Sequence, residues 1–394
     1  MKEKIIQLSS TSASFFLNSG KGSIDKILKD DWFAQVAKQI KKFYPKTEVE
    51  CWAPEKSCKK EVITEDSKIK FRIFPSTLSI RPGMELSFSM VKALMEEIKK
   101  AEKENKKLIL HIHEYHSWQA YLVLYFIKKN KNIKIVAQHH GGRSPFKNLN
   151  KYKRLLIFFP VIALMQFFEN LLFKEVDIFY ALSDKELTYL KNKTNGKIKF
   201  QTMGIPEELF GQKNKQRIKK ELGLEENKKY ILYVGRIKTT KGIKELLDAI
   251  KKLPGTELIL IGRGDDAKNY EEYARQKGIK NANFLGAIYG DKRLGYYDAC
   301  DCLILPSYTE GAPVVLMEAI AKNLPVIATN VGGVAKMIES GREGIIIKPK
   351  SSEEITKAIR EILNWKKKNI KKYAKKYKWE NIIKETIEDY KTIC

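Results

Sequence analysis

Two glutamates, Glu310 and Glu318, with seven residues between them, lie in the segment PSYTEGAPVVLMEAIAKNLPVIATNVGG (306–333). The pattern predicts a strand, a loop that holds Glu310, and a short helix that starts near Pro313 and carries Glu318. Backbone N–H groups at a helix start lack partners within the helix and attract anionic oxygens. Carboxylates accept hydrogen bonds from sugar and ribose hydroxyls. The segment therefore fits a nucleotide-sugar, unless Glu310 is only a cap and Glu318 only a surface residue.

A second candidate site follows the apolar run YILYVG, which ends at Gly235. Arg236 comes next, and Lys241 precedes the glycine that opens a predicted helix. A glycine at such a turn lets the backbone approach a phosphate, while Arg236 and Lys241 supply positive charge for a diphosphate. The run ELILIG ends in a similar way at Gly262, although a lone Gly-x-Gly by itself predicts only a turn.

All five histidines fall at two predicted strand ends, LILHIHEYHSW and IVAQHHGG. Alternate residues on a strand point the same way, so His111 and His113 could join His140 in a metal site. We favour no metal and no cofactor, because the chain lacks an Asp-x-Asp pair and Arg236 and Lys241 already offer positive charge.

Short apolar runs alternate with longer amphipathic stretches along the whole chain, as in parallel α/β sheets. We predict a first strand over 3–8 and helices over 241–252 and 267–277. The predicted fold is α/β, with two doubly wound Rossmann-like domains that face one another across a cleft.

The polar segment GIPEELFGQKNKQRIKKELGLEENKK (204–229) marks the predicted junction between the domains. The prediction is an acceptor-binding domain over 1–205, a linker over 206–228, a nucleotide-sugar domain over 229–365 and a terminal helical segment over 366–394.

The chain has 394 residues and a formal net charge of +27, which attracts polyanions, phosphorylated ligands or anionic lipid. Solvated lysines spread over the whole surface would give the same charge. No nucleic-acid-binding signature accompanies it, so nucleic acid is not an expected partner. The five cysteines match neither a zinc site nor a disulfide framework, which predicts a reducing, cytoplasmic location.

The segment KYKRLLIFFPVIALMQFFENLLFKEVD (151–177) interrupts the α/β pattern. It is too short and too interrupted to span a bilayer. Two interpretations stay open: a helix in the interface of an anionic membrane, with contact through 151–174, or a helix buried in its domain. The first would make the protein peripheral on the inner face of the membrane.

Four features together resemble the family-4 retaining glycosyltransferases of GT-B fold, also called glycosyl transferases group 1. They are the GR-x4-KG pattern, the Glu310–Glu318 spacing, the run EGAPVVLMEAIAKNLPVIAT and the later GGV…GREGIIIKP. The resemblance is dense over 230–363 and continues to YKWENIIKETIEDY (377–390), which looks like a helix that crosses back to the first domain.

The resemblance implies a role for each matching residue. Arg236 and Lys241 would bind the donor diphosphate, Glu318 the ribose, Glu310 the transferred sugar, and His140 would lie beside that sugar. NSGKGS (18–23) looks like the family's first glycine loop, although it lacks the usual Gly-Gly pair. The full donor-binding set is Gly20, Gly22, Gly235, Gly262, Gly286, Gly311, Ala312, Pro313 and Glu318.

Three positions depart from the family pattern: Gln138 for a common Thr, Asn323 for a frequent Gly, and Lys336 for a usual Glu. Asn323 tolerates the left-handed conformation that a helix cap needs. Lys336 removes a carboxylate expected near the donor, so the departures bear on donor identity more than on fold.

The sequence therefore predicts a retaining glycosyltransferase that moves a hexose from a nucleotide-diphosphate sugar to a hydroxyl acceptor, soluble or lipid-linked, in the synthesis of a glycan. Two alternatives stay open. One is a nucleotide-sugar epimerase of related fold, and the other is a non-catalytic protein that binds anionic lipid or nucleic acid.

Overall fold

A computed structural model describes residues 3–11, 31–79, 85–128, 130–140, 159–211, 213–366 and 369–394. Contacts divide the chain into two compact units. The N-terminal unit holds Met1–Gln201 and Ile383–Cys394, and the C-terminal unit holds Thr202–Ile382. The functional domain boundaries given above remain predictions, since compactness does not test which domain binds which substrate.

The N-terminal unit is built on an eight-stranded sheet in the order β10-β9-β8-β7-β1-β2-β4-β3. Its strands are parallel except β3, which pairs antiparallel with β4 at the edge. The strands of this unit are β1 (Glu3–Ser9), β2 (Glu48–Glu55), β3 (Val62–Asp66), β4 (Ile69–Pro75), the two-residue pair β5 (Leu78–Ser79) and β6 (Glu85–Leu86), β7 (Lys107–His113), β8 (Ile133–Gln138), β9 (Ile178–Ala181) and β10 (Lys197–Phe200).

Helices cover this sheet and bury apolar residues against it. They are α1 (Trp32–Phe43), α2 (Phe88–Lys103), α3 (Trp118–Ile127), α4 (Phe159–Leu172) and α5 (Asp184–Lys191). Two of them, α3 and α4, are apolar on more than one face. Asp31, Ser87, Ser117 and Ser183 cap four of these helices by accepting hydrogen bonds from backbone N–H groups in the first turn. Capping fixes where each helix starts and so where the preceding strand-end loop lies.

The C-terminal unit is built on a six-stranded, fully parallel sheet in the order β13-β12-β11-β14-β15-β16. Its strands are β11 (Lys229–Val234), β12 (Thr256–Ile261), β13 (Ala282–Phe284), β14 (Cys302–Leu305), β15 (Val326–Thr329) and β16 (Gly344–Ile347). Its helices are α6 (Lys215–Glu221), α7 (Ile243–Ile250), α8 (Ala267–Gln276), α9 (Gly290–Ala299), α10 (Val314–Ala321), α11 (Val334–Met337), α12 (Ser352–Leu363) and α13 (Lys371–Ala374).

The last helix, α14 (Trp379–Ile393), contributes its residues from Ile383 onward to the N-terminal unit. Within that unit the Tyr390 hydroxyl accepts a hydrogen bond from Gln7 at 3.2 Å, and Asp389 accepts one from the Tyr180 hydroxyl at 2.9 Å. The C-terminal end of the chain thereby becomes part of the polar core of the first sheet.

The predicted α/β class with two doubly wound sheets is confirmed. The predicted strand over 3–8 is β1, and the helices predicted over 241–252 and 267–277 are α7 and α8. All five cysteines carry free thiols. Within the described ranges, no helix has both the length and the apolar character needed to cross a bilayer.

Candidate functional site

The strand order of the C-terminal sheet creates a topological switch point between β11 and β14. From β11 the chain proceeds outward through β12 and β13, then returns to the other side of β11 with β14. Loops that leave a switch point in opposite directions open a crevice at the carboxyl ends of the strands, where doubly wound sheets bind ligands. We call the loops after β11 and β14, together with the start of α10, the switch-point site.

An ion pair between Lys241 and Glu310 joins the two loops. Lys241 Nζ donates a hydrogen bond to Glu310 Oε1 at 2.6 Å, and Ser307 Oγ donates to the same oxygen at 2.6 Å. The two charged side chains are 16% and 11% exposed. Because an ammonium group has three N–H donors, Lys241 retains donors for a ligand while it positions Glu310.

Two glycines let the backbone pack closely behind this ion pair. Gly242 follows Lys241 with a φ of +68°, and a Cβ there would lie 2.1 Å from the carbonyl oxygen of Pro306. At Gly262 a Cβ would lie 1.8 Å from the carbonyl oxygen of Gly235. Gly242 and Gly262 therefore cannot be replaced without a backbone shift, which gives the predicted residue Gly262 a structural reason.

Arg236 is the exposed cation of the site. The Tyr233 hydroxyl fixes its backbone by donating a hydrogen bond to the Arg236 carbonyl oxygen at 2.8 Å. Burial, with the charge of Glu310 as the next cause, raises the pKa of Tyr233 well above its ordinary value. Among the described residues the Arg236 guanidinium has no ion-pair partner, so its charge is available to a ligand.

Glu318 is buried on α10 and is bound by two side chains of α9. Arg293 makes a bidentate pair with it at 2.8 and 2.9 Å, and the Tyr297 hydroxyl donates to Oε2 at 2.7 Å. Burial opposes the charge on Arg293, but the hydrogen bonds and charge of Glu318 raise the pKa of Arg293 overall. Glu318 is thus held as an oriented carboxylate, and Arg293 and Tyr297 are site residues that the sequence reasoning missed.

The start of α10 presents beside these carboxylates the backbone N–H groups of Val314 and Val315, which have no partner in the described part of the chain. Its N-cap residue, Pro313, makes no side-chain capping bond. The preceding loop is held by Gly333, whose N–H donates to the Gly311 carbonyl oxygen at 2.7 Å, while a Cβ on Gly332 would lie 2.1 Å from the Glu310 carbonyl oxygen. The predicted residues Gly311, Ala312 and Pro313 therefore lie in one loop between the two glutamates.

Gly286 lies on the loop after β13 with a φ of +67°, and its carbonyl oxygen accepts a hydrogen bond from the Gly262 N–H at 2.8 Å. The structure therefore connects the loops after β11, β12 and β13 through Gly235, Gly262 and Gly286. The predicted residues Gly20 and Gly22 lie outside the described residues.

His140, the site residue predicted in the N-terminal unit, belongs to a stack of three imidazole rings. The centroids of His111 and His113 are 4.4 Å apart, and those of His113 and His140 are 4.9 Å apart. Trp32 stacks on His140 with a centroid distance of 6.1 Å. We call His111, His113 and His140 the histidine stack.

Hydrogen bonds connect the histidine stack into a chain. His140 Nε2 lies 2.6 Å from His113 Nδ1, and His113 Nε2 lies 2.7 Å from Gln7 Oε1. Because an amide oxygen only accepts, His113 donates from Nε2 and accepts at Nδ1, so His140 donates from its Nε2. Gln7 also donates to the Tyr390 hydroxyl at 3.2 Å, and that hydroxyl lies 2.7 Å from His111 Nδ1, where the chain ends.

The stack is uncharged because it is buried. Burial lowers the pKa of His111 to about 3 and that of His140 to about 4, and it lowers the pKa of His113 well below its ordinary value. Glu114 holds the next turn by accepting a hydrogen bond from the His140 N–H at 3.0 Å. The result is a neutral, oriented imidazole at position 140.

No group of three or more metal-ligating side chains is arranged for a metal ion in the described part of the chain. The histidine stack was considered above as a metal site. In the structure His113 hydrogen-bonds His140 and Gln7, and His111 hydrogen-bonds Tyr390.

Residues 214–377 match the model of the family described as glycosyl transferases group 1. Among curated proteins, the chain is similar to an uncharacterized glycosyltransferase of Methanocaldococcus jannaschii, with 32% identity over 188 residues, 45% of this chain and 48% of that protein. It is also similar to the putative teichuronic acid biosynthesis glycosyltransferase TuaC of Bacillus subtilis, with 34% identity over 149 residues, 38% of this chain and 36% of TuaC. The chain thus spans about half or less of the length of these relatives.

Two solved structures share the fold over nearly the whole chain. Sucrose-phosphate synthase from Thermosynechococcus elongatus has a TM-score of 0.72 at 19% identity and covers 99% of both chains. HepE from Anabaena, solved in complex with UDP, has a TM-score of 0.68 at 18% identity and covers 99% of this chain and 100% of HepE. The resemblance to glycosyl transferases group 1 is confirmed over residues 214–377, and the epimerase and binding-protein alternatives are not favoured.

Proposed function

We propose that this chain transfers a sugar from a nucleotide-diphosphate sugar to a hydroxyl acceptor, as the match of residues 214–377 to glycosyl transferases group 1 supports. The observation that carries the proposal is the switch-point site, where the Lys241–Glu310 pair and the oriented Glu318 flank the unpaired N–H groups of α10. This set matches the donor in charge: cations and N–H groups suit the diphosphate, and carboxylates suit the hydroxyls of ribose and sugar.

In the proposed reaction, the bond between the anomeric carbon and the diphosphate oxygen breaks, and a bond to the acceptor oxygen forms on the same face of the sugar. The acceptor proton passes to the leaving phosphate oxygen. Arg236, Lys241 and the start of α10 stabilise the negative charge that develops on the diphosphate, without a metal ion. Glu310 orients the transferred sugar, and the place of His140 beside that sugar remains a prediction from the family resemblance.

The names of relatives support the choice of donor and acceptor classes. HepE has been solved with UDP-glucose, which favours a uridine-diphosphate sugar among the donors to try first. TuaC is named for teichuronic acid biosynthesis, which favours a precursor of a cell-surface glycan as acceptor. A cytoplasmic location remains a prediction from the cysteine content.

The test is an NMR assay of the purified protein with UDP-, GDP- and ADP-sugars and a panel of hydroxyl acceptors, with and without EDTA. We expect a product whose anomeric configuration equals that of the donor, at a rate that EDTA leaves unchanged. Inversion would refute the retaining mechanism. Isomerisation of the donor sugar without an acceptor would instead identify an epimerase.

A further inference from the structure

Two neighbouring helices of the N-terminal unit expose an unusual amount of apolar surface. On α4 the exposed residues include Leu164 (45%), Phe167 (60%) and Leu171 (43%), and on α3 they include Tyr125 and Phe126 (46% each). We call these five residues the apolar patch. A contiguous exposed apolar surface on a water-soluble unit marks an interaction site.

The two halves of the patch lie on neighbouring helices, because α3 and α4 pack on each other. Phe168 of α4 contacts Trp118 and Tyr121 of α3, with ring centroids 6.1 and 6.2 Å away. Tyr125 follows Tyr121 by one helical turn and therefore lies on the same face of α3. Leu164, Phe167 and Leu171 follow the spacing of one helical face on α4.

The exposed face of α4 carries no charge, although 31% of the chain is charged. From Ala163 to Leu172 the only charged residue is Glu169, and its side chain is fully buried. Glu169 accepts hydrogen bonds at 2.7 Å from His116 and from the Tyr121 hydroxyl, so it belongs to the interior of the unit. A helix face that meets only water normally carries charged residues, so this face fits a nonpolar partner.

The sequence between and around α3 and α4 is rich in basic residues. Residues 115–168 contain nine lysines and arginines and no aspartate or glutamate. Lys128 lies over the Tyr125 ring, with its Nζ 4.5 Å from the centroid, and Lys174 is exposed just beyond α4. Apolar side chains beside basic ones favour the interface of an anionic bilayer, where the first insert and the second contact lipid head groups.

We propose that α3 and α4 form a docking surface for an anionic lipid bilayer, with the apolar patch inserted at the head-group level. A second copy of this chain fits less well, because a symmetric dimer through the patch would bring Lys128 and Lys174 of the two copies together. The proposal does not depend on the transfer reaction, since none of its residues belongs to the switch-point site or the histidine stack.

The test is co-flotation of the full chain with vesicles of phosphatidylcholine alone and with vesicles that also contain phosphatidylglycerol. We expect binding only to the anionic vesicles. Phe167→Ser and Phe126→Ser should each weaken this binding about tenfold or more, because each removes a large inserted side chain. The matched control is Phe88→Ser on α2, which removes an equally exposed phenylalanine outside the patch (50% exposed) and should leave binding unchanged.

Circular dichroism and donor binding check that each variant folds. The proposal is wrong if the wild-type chain ignores anionic vesicles, or if Phe167→Ser and Phe88→Ser bind them equally well. It is also wrong if the wild-type chain forms a dimer that Phe167→Ser dissociates while vesicles bind neither form, since the patch would then join two copies.

Discussion

Replacement of Lys241 by methionine separates a structural from a catalytic role for the cation of the switch-point site. Methionine keeps most of the side-chain volume but removes the charge that Glu310 accepts at 2.6 Å. Glu310 would remain as a carboxylate that is 11% exposed, with Ser307 as its donor. Leaving one member of such a pair uncompensated costs about 2–3 kcal/mol of stability.

The loss of turnover has a different origin. Lys241 is a fixed positive charge where the leaving diphosphate develops negative charge, and removing one preorganised group of this kind lowers turnover about 10²–10³-fold. The double variant Lys241→Met/Glu310→Gln should recover most of the stability, because the uncharged amide no longer needs a cation. It should not recover turnover, because the cation is still missing.

The assay measures thermal unfolding and nucleoside-diphosphate release for the wild type, both single variants and the double variant. Lys244→Met is the matched control, because Lys244 lies on α7, is 58% exposed and pairs loosely with Asp248 at 3.7 Å. It should change neither quantity. Turnover of Lys241→Met within a few-fold of the wild type, or recovery of turnover in the double variant, would refute the catalytic role.

Two further predictions concern the glycine turns and the buried histidines. Gly262→Ala should lower the free energy of unfolding by more than about 2 kcal/mol and abolish donor binding, because its Cβ would meet the Gly235 carbonyl oxygen at 1.8 Å. The control is Gly278→Ala, at a residue with positive φ but open space around it. It should lower the free energy of unfolding by only about 1 kcal/mol, measured by thermal unfolding, and keep donor binding. Equal effects of the two substitutions would contradict the close-packing argument. Acidification should destabilise the N-terminal unit selectively, because His111 and His140 have folded-state pKa values of about 3 and about 4 against an ordinary value of 6.5, so the unfolded chain binds more protons below pH 6.5. Each of these histidines contributes a loss of about 1.4 kcal/mol per pH unit below 6.5, and Asp31, whose pKa burial raises to about 6, offsets about 1 kcal/mol. His113, whose pKa burial also lowers, adds to the loss, so we expect a net loss of at least about 2 kcal/mol on going from about pH 7.5 to about pH 5.5. Hydrogen exchange of β7 and β8 measures it, with the histidine-free C-terminal unit as internal control, and unchanged opening free energies of β7 and β8 would show that the stack is not held neutral.

Local patterns in the sequence predicted the elements of the C-terminal unit well. Several of these elements have a local signal in the sequence that predicts a single backbone feature. The signals are the glycine turns after β11 and β12, the proline at the start of α10 and the asparagine after its end. Asn323, predicted to cap α10 in the left-handed conformation, has a φ of +58°. The predicted donor site residues of this unit accordingly fall on neighbouring loops of one sheet.

Contacts between distant residues could not be predicted in this way. Arg293 and Tyr297 are spaced for one helical face, but nothing in the sequence indicates that this face meets Glu318. The histidine stack shows the same limit: strand alternation placed His111 beside His113, whereas Gln7 and Tyr390 reach them from positions 106 and 279 residues away.

The segment over 151–177 illustrates a third case, in which the structure shows one side of the helix buried and leaves the membrane interpretation a prediction. Met165 and Leu172 of α4 are buried in the unit, while Leu164, Phe167 and Leu171 are exposed. A helix that is apolar on both sides gives no periodic signal to decide which side is buried, so composition alone left the question open.

The most direct test of the proposed function is calorimetric titration of the wild-type chain and of Glu318→Gln with UDP-, GDP- and ADP-sugars. We predict that the wild type binds one of these donors and that Glu318→Gln binds it about 10–100-fold more weakly, because the charged hydrogen bond to the ribose is lost. Glu271→Gln on the exposed face of α8 should bind like the wild type. Absence of binding by the folded wild type, or equal binding by Glu318→Gln, would contradict the assignment of the donor site.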